Sequence, residues 1–533
     1  MRKLVKNVLA MLIVGGTAVV MGNGTVSASN GIGINEQNFP DAQIRQIATQ
    51  YDSNKDQILD TSEQKKLTEL IVIETTENTG VQGNVIRTAK GITSFKGVEY
   101  FAELKSISVG QSGKPQSSYK IASDLFQYTK QVKTIRVNYA YADPVDARYK
   151  DSDKQMLAKN TSIVIDDSMQ CESLSLEGVQ VKKMQIVSKK MKKLLIKTCN
   201  LPDEYTINTP NLQTLGLKET YVKKLQYGKM DKLKYLSLGL NVIQNGKEKA
   251  SPVTVLDLQK SKNIAELSVT GCRINKLDLS SVNKTLRLAS ITQSGKYPIK
   301  QVRLGKMAAL KGLSVSAKCA AIDASKCSRL NTLECASYGI FKVKLPKSVQ
   351  YLTLTSLDKK GCKSLKLSNC KKLKALKVIG CKKLKTINLA KCSKLYSLKL
   401  KGLALKRLTL PNNKNGLKTW LKNYDFAEVL DKQARLFEDT DYVYEPASPN
   451  YKILQNTSVK VLDLSRLTKV KHAKTTLKKA FLKNKNVKKV VISKKLSKHD
   501  KVWLQKKNKL RYTRNDMLYV SKENKICPDI AIS

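Results

Sequence analysis

In 533 residues the sequence holds only two histidines, His472 and His499. Nucleophilic and acid–base hydrolysis needs a positioned base. Asp500 follows His499, but no nucleophile motif accompanies the pair. No glycine-rich phosphate loop and no paired carboxylates stand out in the chain's repeats. The chain is therefore read as a non-enzyme. Aromatic residues are equally sparse, at 6%, while 41% of residues are apolar, so a core must be built from Leu, Ile and Val. The eleven cysteines include no Cys-x-x-Cys pair, which leaves a zinc site without support. Acids are scarce too: 43 Asp and Glu face 97 Lys and Arg, a formal charge of +54. Such a surface attracts polyanions with a strong salt dependence.

Residues 1–28 read as a secretory signal peptide. Arg2, Lys3 and Lys6 form the basic start, residues 8–21 are mostly apolar, and Val26, Ser27 and Ala28 are small residues at the cleavage positions. Cleavage there removes three cations and leaves +51. The apolar run is interrupted by Gly15, Gly16 and Thr17, and no later run approaches the roughly 18 residues of a membrane span. The expected location is extracellular, either free or held noncovalently at the cell wall.

What the chain has in abundance is a short period. In residues 362–410, Cys370, Cys381 and Cys392 recur every 11 residues, as do Leu373, Leu384 and Leu395, and Leu376, Ile387 and Leu398. The unit L-x-x-L-x-L-x-x-C-x-x predicts a stacked repeat, in which each turn buries its apolar side against its neighbours. Similar units begin at Cys171, Val181 and Met191, at Leu212, Val222 and Leu233, and at Val253, Ile264 and Ile274, with most steps 10 or 11 residues long. Two half-units then make one turn of about 21–22 residues, with short parallel strands whose alternate residues point inward. The expected division is a leader over 1–28, a helical cap over 29–80, a β-rich solenoid over 81–410, and irregular repeats with a cap over 411–533. Within that last part, 415–432 reads as helical, 437–448 as a loop and 477–482 as helical. Val459, Leu462 and Leu464, then Val487, Val490 and Ile492, read as two further ladder units. The Cys positions fall at the repeat register, where a small apolar side chain stacks under a corner, so buried thiols are expected rather than disulfides.

Two groups of residues suggest binding. The loop 52–63, DSNKDQILDTSE, has the spacing of an EF-hand: Asp52, Asn54 and Asp56 at positions 1, 3 and 5, the Ile58 carbonyl at 7, Asp60 at 9 and Glu63 at 12. Oxygen donors in that order wrap a calcium ion. Gln57 stands where glycine normally makes the sharp turn, at a cost on the order of 1 kcal/mol. The other reading of this stretch is a capped helical hairpin with a solvated acidic loop, in which Leu67 and Leu70 continue the second helix. The second group is Lys371, Lys372, Lys374, Lys382, Lys383, Lys385, Lys391 and Lys394, which crowd the corners of successive units. Stacked like charges about 5 Å apart repel by roughly 0.8 kcal/mol in water. A polyanion along the ridge would relieve that repulsion. Solvated lysines that guard sheet edges are the alternative.

The order of these features resembles a known type. INEQNFPDAQIRQIATQYDSNKDQILDTSE is followed by ITSFKGVEYFAELKSISV and then short leucine-rich units. This is similar to secreted leucine-rich repeat proteins of Gram-positive bacteria that carry an EF-hand-like or dockerin-like acidic loop. Phe95 and Glu103 depart from the usual Leu and Asn of that signature. The resemblance implies a secreted or surface binding protein rather than a catalyst. The expected function is macromolecular recognition, with anionic polymers (cell-wall or host glycans) or surface proteins as partners. A protein-binding adhesin that uses the sheet face is the first alternative. A secreted hydrolase with its site in the C-terminal region is the second.

Overall fold

The computed structural model describes residues 31–75, 80–111, 121–139, 158–244, 247–294, 296–339, 341–411 and 454–467, and beyond them 474, 477–482, 487, 489–508, 510–512, 517–520 and 529–532. The leader over 1–28 and the expected helix and loop over 415–432 and 437–448 lie outside the described residues.

Alternation within short segments decides the architecture. In Ala375–Ile379 the side chains of Leu376 and Val378 are buried, while Lys377 between them is only half-covered. The strand Ser397–Lys401 repeats this with Leu398 and Leu400, and it pairs in parallel so that Leu376 lies beside Leu398 and Lys377 beside Lys399. One strand buries too little alone; the stack supplies the rest. Strands of this kind begin at Ser173, Lys193, Thr214 and Tyr235, and again at Ala375 and Ser397. Within each of these two runs the starts are 20–22 residues apart, so a turn is two half-units, as the sequence predicts.

The strands form one continuous main sheet from Glu69–Glu74 through Ser397–Lys401 to Leu454–Gln455. It is open. At its front, Val85–Thr88 lies beside Glu69–Glu74, and Gly80–Gln82 pairs antiparallel outside it; at the far end, Leu454–Gln455 pairs on one side among the described residues. The other half-units build a second face from strands of varied length, such as Thr386–Asn388 beside Ala404–Thr409. At the C-terminal end this second face widens into a seven-stranded sheet that includes Ser458–Leu464 and Lys489–Ile492, the two late ladder units. Residues 477–482 are helical, as expected. Between the faces lies one continuous apolar core, largely Leu, Ile and Val.

The chain leaves the late main strands through a left-handed residue. Gly380 (φ 70°) and Gly402 (φ 66°) take this conformation, and a Cβ on Gly380 would lie 2.8 Å from the Ser356 carbonyl oxygen. Glycine meets both demands without strain. Just past this point sits a cysteine in several turns. The Cys199 Sγ donates to the Lys197 carbonyl at 3.2 Å, and Thr220, one turn on, donates from Oγ1 to Lys218 at 2.9 Å. Thiol and hydroxyl thus do one job, satisfying a carbonyl under the corner.

All ten described cysteines are buried free thiols. Burial pushes Cys171, Cys199, Cys272 and Cys392 up to about 12, so these thiols stay protonated and unreactive at neutral pH.

The front of the molecule corrects two expectations. The helix Ala42–Tyr51 forms, its N-terminus capped by Asp41 Oδ1, which accepts from the N–H groups of Gln43 and Ile44. The second helix does not form. Residues after Asp60 make one hydrogen-bonded turn, and Leu70 belongs to Glu69–Glu74, inside the main sheet. The ladder therefore starts within the stretch read as cap. The alternation Leu70, Val72 buried with Ile71, Ile73 half-buried is a strand pattern, and pairing with Ser106–Gln111 overrides the weak helical signal of Leu67 and Leu70.

Candidate functional site

The acidic loop is shaped by its own carboxylates. Asp52 accepts the Gln57 N–H at 2.9 Å and the Asp56 N–H at 3.3 Å. Asp56 accepts from Ile58 at 2.8 Å, and Asn54 Oδ1 accepts from Asp56 at 3.1 Å. Glu63 closes the ring: its Oε1 accepts from Ser53 at 2.5 Å and its Oε2 from Asp60 at 3.1 Å. Asp60 in turn accepts from Glu63 and Ser62 N–H groups, and those bonds hold its carboxyl below the usual range. Gln57 takes the left-handed backbone (φ 62°) that glycine would supply. Ile58–Leu59 pairs antiparallel with Ile32–Gly33, so the loop finds its sheet partner in the segment preceding the helix.

Asp52 and Glu63 are buried, whereas Asn54 and Asp56 are exposed. A solvated acidic loop thus describes the middle of the stretch but not its ends. Among the described residues no cluster of three or more His, Cys, Asp or Glu converges as a preformed metal centre. The donor set of the loop is nevertheless all oxygen, includes two buried carboxylates, and lies on a backbone already turned as the spacing demands. It fits a hard cation such as calcium.

The eight lysines sort onto the two corners of a turn. Successive half-units lie at opposite corners of a turn. Lys371, Lys372, Lys374, Lys391 and Lys394 occupy the corner leading into the main sheet. Lys382, Lys383 and Lys385 occupy the corner leaving it. Residues one half-unit apart are therefore not stacked neighbours; residues two half-units apart are. The Leu373 N–H donates to Cys370 and the Leu395 N–H to Cys392, which makes Lys372 and Lys394 equivalent. On the other corner the Lys406 N–H donates to the Lys385 carbonyl at 2.7 Å. Corners one full turn apart therefore stack at a rise of ~4.8 Å, as the sequence reading has them.

The environment of these lysines carries more information than their positions. Earlier in the solenoid, six cations are answered by an acid one turn before. Lys192 pairs with Glu172 at 2.7 Å, Lys197 with Glu177 at 2.5 Å, Lys223 with Asp203 at 2.5 Å and Lys344 with Asp323 at 2.8 Å. Arg287 with Glu266 and Arg303 with Asp278 extend the series. The Lys344 ammonium and the Ser325 hydroxyl hold Asp323 down at about 2. After Lys344 the series stops. Residues 341–411 contain nineteen lysines and one arginine but a single acid, Asp358. Among the described residues, no ion pair involves a lysine from Lys347 to Lys406; the next is Arg407 with Asp463. Sequence reasoning missed this contrast. A search for opposite charges one full turn apart would have found it.

Among the described residues, the C-terminal histidine lies beside a cation. The His499 Nε2 lies 3.4 Å from Lys474 Nζ, and the Ser497 hydroxyl accepts the Asp500 N–H. That places an ammonium, rather than a hydroxyl or thiol, against the ring. His472 lies outside the described residues. No described helix is long and apolar enough to cross a membrane.

Parallel strands in register, two half-units per turn and a consensus of inward leucines define a leucine-rich repeat solenoid. No protein-family model matches the chain, and no curated protein does. Among solved structures it is similar to the functional domain of InlJ from Listeria monocytogenes, described as including a cysteine ladder, at 13% identity and a TM-score of 0.37, covering 88% of this chain and 83% of that one. A leucine-rich repeat protein of Leptospira interrogans, LIC12759, is also 13% identical with a TM-score of 0.37, covering 78% and 92%. The internalin InlF of Listeria monocytogenes is 12% identical with a TM-score of 0.33, covering 74% and 96%. These likenesses assign no ligand to this chain.

Proposed function

We propose that this chain is an exported recognition protein whose lysine-only turns lie along an anionic polymer, a cell-wall teichoic acid or a host glycosaminoglycan. One observation carries the reading. The same solenoid that pairs six of its cations with an acid one turn before, up to Lys344, pairs none of the lysines from Lys347 to Lys406 among the described residues. Stacking alone does not require so dense a charge: residues 171–344 stack with 31 cations and 12 acids, whereas residues 345–411 hold 18 cations and one acid. Unanswered charge at a regular rise matches a partner with regularly spaced anions.

The test is a salt titration against heparin and against purified teichoic acid. With six to ten ionic contacts, affinity falls by about 10³- to 10⁵-fold between 50 and 200 mM salt. Absence of binding to both at low salt would sink the reading. A second reading, protein binding through the main sheet, draws on the outward row Gly216, Ser237, Ser268, Ser290 and Ser314, which lie side by side in register and leave that face without bulk. Binding through it would be nearly indifferent to salt.

The loop 52–63 is proposed to hold calcium through the side chains of Asp52, Asn54, Asp56, Asp60 and Glu63 and the carbonyl of Ile58. The ion would stiffen the junction between the first helix and the first strand. Ligand present at 100 times its Kd stabilises by about 2.7 kcal/mol. Calcium in excess should therefore raise the melting temperature relative to chelator, and Asp52→Ala should remove the difference. Equal melting temperatures in calcium and chelator would rule the site out.

A further inference from the structure

The main sheet runs unbroken, but the second face does not. After Ala158–Ile165, Val179–Val187 and Thr206–Asn208, the described residues contain no second-face strand until Lys276–Asp278. In the gap the chain passes through residues 221–227 and 252–260 without forming a strand. The second half of this gap carries an insertion. The turn that runs from Tyr235 to Glu266 is longer than its neighbours, because the hairpin Asn241–Gln244 with Lys247–Ala250 is spliced into it.

A cavity of about 360 Å³ lies in this gap. That volume falls within the range of about 300–1,000 Å³ typical of small-ligand sites. Its apolar lining includes Leu225, Val253 and Val255; the last, at 70%, is the most exposed large apolar side chain among the described residues. Its charged lining is three cations, Lys223, Lys224 and Lys260, against one acid, Asp257. Lys223 is turned to Asp203, and the Lys260 ammonium donates one N–H to the Tyr227 carbonyl at 3.5 Å, which leaves Lys224 and the two remaining N–H groups of Lys260 for a guest.

The walls are pinned by two tyrosines. The Tyr227 hydroxyl donates to the Asp257 carbonyl at 2.9 Å, and the Tyr205 hydroxyl donates to the Lys224 carbonyl at 3.0 Å. Bonds from one turn to the next hold both loops in place before any ligand arrives. Preorganisation of this kind reduces the entropy lost on binding.

We propose that this cavity binds a small organic anion, with its carboxylate between Lys224 and Lys260 and its apolar body against Leu225, Val253 and Val255. The site is separate from the lysine-only turns, which begin much later in the chain at Lys347, and it does not depend on the polyanion reading.

The experiment uses the full chain, saturation-transfer NMR and calorimetry, with 4-phenylbutyrate as probe and 4-phenylbutyramide as its neutral counterpart. Loss of one charge-assisted hydrogen bond is worth about tenfold. The acid should bind about tenfold more tightly than the amide. Lys224→Gln with Lys260→Gln should bring the acid down to the level of the amide and leave the amide unchanged. Val255→Asp should abolish binding of both with an unchanged melting temperature. Replacing Lys371, Lys372 and Lys394 by Gln should leave phenylbutyrate binding intact even where heparin binding is lost. Equal affinity for acid and amide, wild-type affinity in the double lysine variant, or no saturation transfer at millimolar probe would each overturn the proposal.

Discussion

The turns between Cys171 and Lys344 and those between Lys347 and Arg407 share one backbone plan and handle charge in opposite ways. In the first set, acids and bases a turn apart join neighbouring turns. In the second, lysine sits on lysine. Exposed ion pairs contribute only about 0–1 kcal/mol each, so the first set is not held together by them. Apolar stacking holds both. What the pairs do is cancel charge, and the second set lacks that cancellation. Charge is thus set independently of the fold in this chain, and a stretch where it accumulates points to something outside the fold.

The largest expected effect comes from removing that accumulation. Replacing Lys371, Lys372, Lys374, Lys391 and Lys394 by Gln clears the corner leading into the main sheet, and replacing Lys382, Lys383 and Lys385 clears the other. If one corner carries the polymer, only its variant should lower the slope of log K against log salt, by about 0.7 to 0.9 per contacting lysine. Equal small losses in both variants would mean a diffuse field with no ridge, and the contrast between the two sets of turns would lose its functional meaning. Melting temperature should hold or rise in both, since like charges have been removed.

Where the lysine tract ends, one acid returns in a role the exposed pairs do not have. Asp463 is buried and accepts from Arg407 Nε at 3.0 Å, from Thr409 Oγ1 at 3.2 Å and from the Ser465 N–H at 3.0 Å. Burial works to raise its carboxyl, but the bonds from Ser465 and Arg407 prevail and hold it low. It ties Ala404–Thr409 to Ser458–Leu464, two strands that are neighbours in the sheet and distant in sequence. Asp463→Ala should cost about 2 kcal/mol in urea unfolding, less than a fully buried pair because Arg407 is half exposed. A lowered carboxylate stabilises above its ordinary range and loses that contribution as pH falls through the folded value. The wild type should therefore lose more stability than the variant on acidification.

The front of the solenoid holds an acid with the opposite sign of effect. Glu74 is buried at the end of the first main strand, and the Tyr139 hydroxyl donates to it at 2.7 Å. Burial pushes Glu74 up to about 7, against the lowering effect of that bond. The folded state then binds a proton more tightly than the unfolded chain, so stability is full below about 4.5 and falls as pH rises toward 7. Glu74→Gln should remove this dependence and stabilise by roughly 1–3 kcal/mol at pH 8. A parallel loss in both proteins between pH 5 and pH 8 would show that Glu74 is not the titrating group.

Much of this was legible in the sequence and some was not, for physical reasons. The period, the inward leucines and the corner cysteines are local or nearly so, and each turn must repeat them to be buried. The front boundary was misplaced because Leu67 and Leu70 satisfy helical spacing as well as strand alternation, and only pairing with Ser106–Gln111 decides between them. The loop 52–63 was visible as a ligand pattern, but its pairing with Ile32–Gly33 depends on a segment on the far side of the first helix. The lysines were visible, but their sorting onto two corners needed the knowledge that half-units alternate sides. The cavity beside Val255 was invisible. It lies where the second face lacks a strand on both sides of an inserted hairpin, and nothing in the local composition of residues 221–260 announces a missing strand.

The smallest predicted effect tests the comparison most directly, by exchanging its two sides. Lys377 lies opposite Lys399 on the main sheet, and Glu177 lies opposite Lys197 in the same kind of register. Like charges directly across a sheet destabilise and opposite charges stabilise, each by roughly 0.2–1 kcal/mol. Lys377→Glu should therefore stabilise the lysine tract slightly, and Glu177→Lys should destabilise the earlier turns by a similar amount. Both shifts should shrink in high salt, because exposed charges are screened beyond about 8–10 Å near physiological ionic strength. If Lys377→Glu stabilises the fold and weakens heparin binding at once, the lysine at that position costs stability and serves binding. If it stabilises and leaves heparin unaffected, Lys377 lies off the path of the polymer, and the ridge is confined to the corners. If it destabilises, the lysine stems must be packing over the sheet face, with their apolar carbons outweighing the repulsion of their ends, and the missing acids of this tract would need no ligand to account for them.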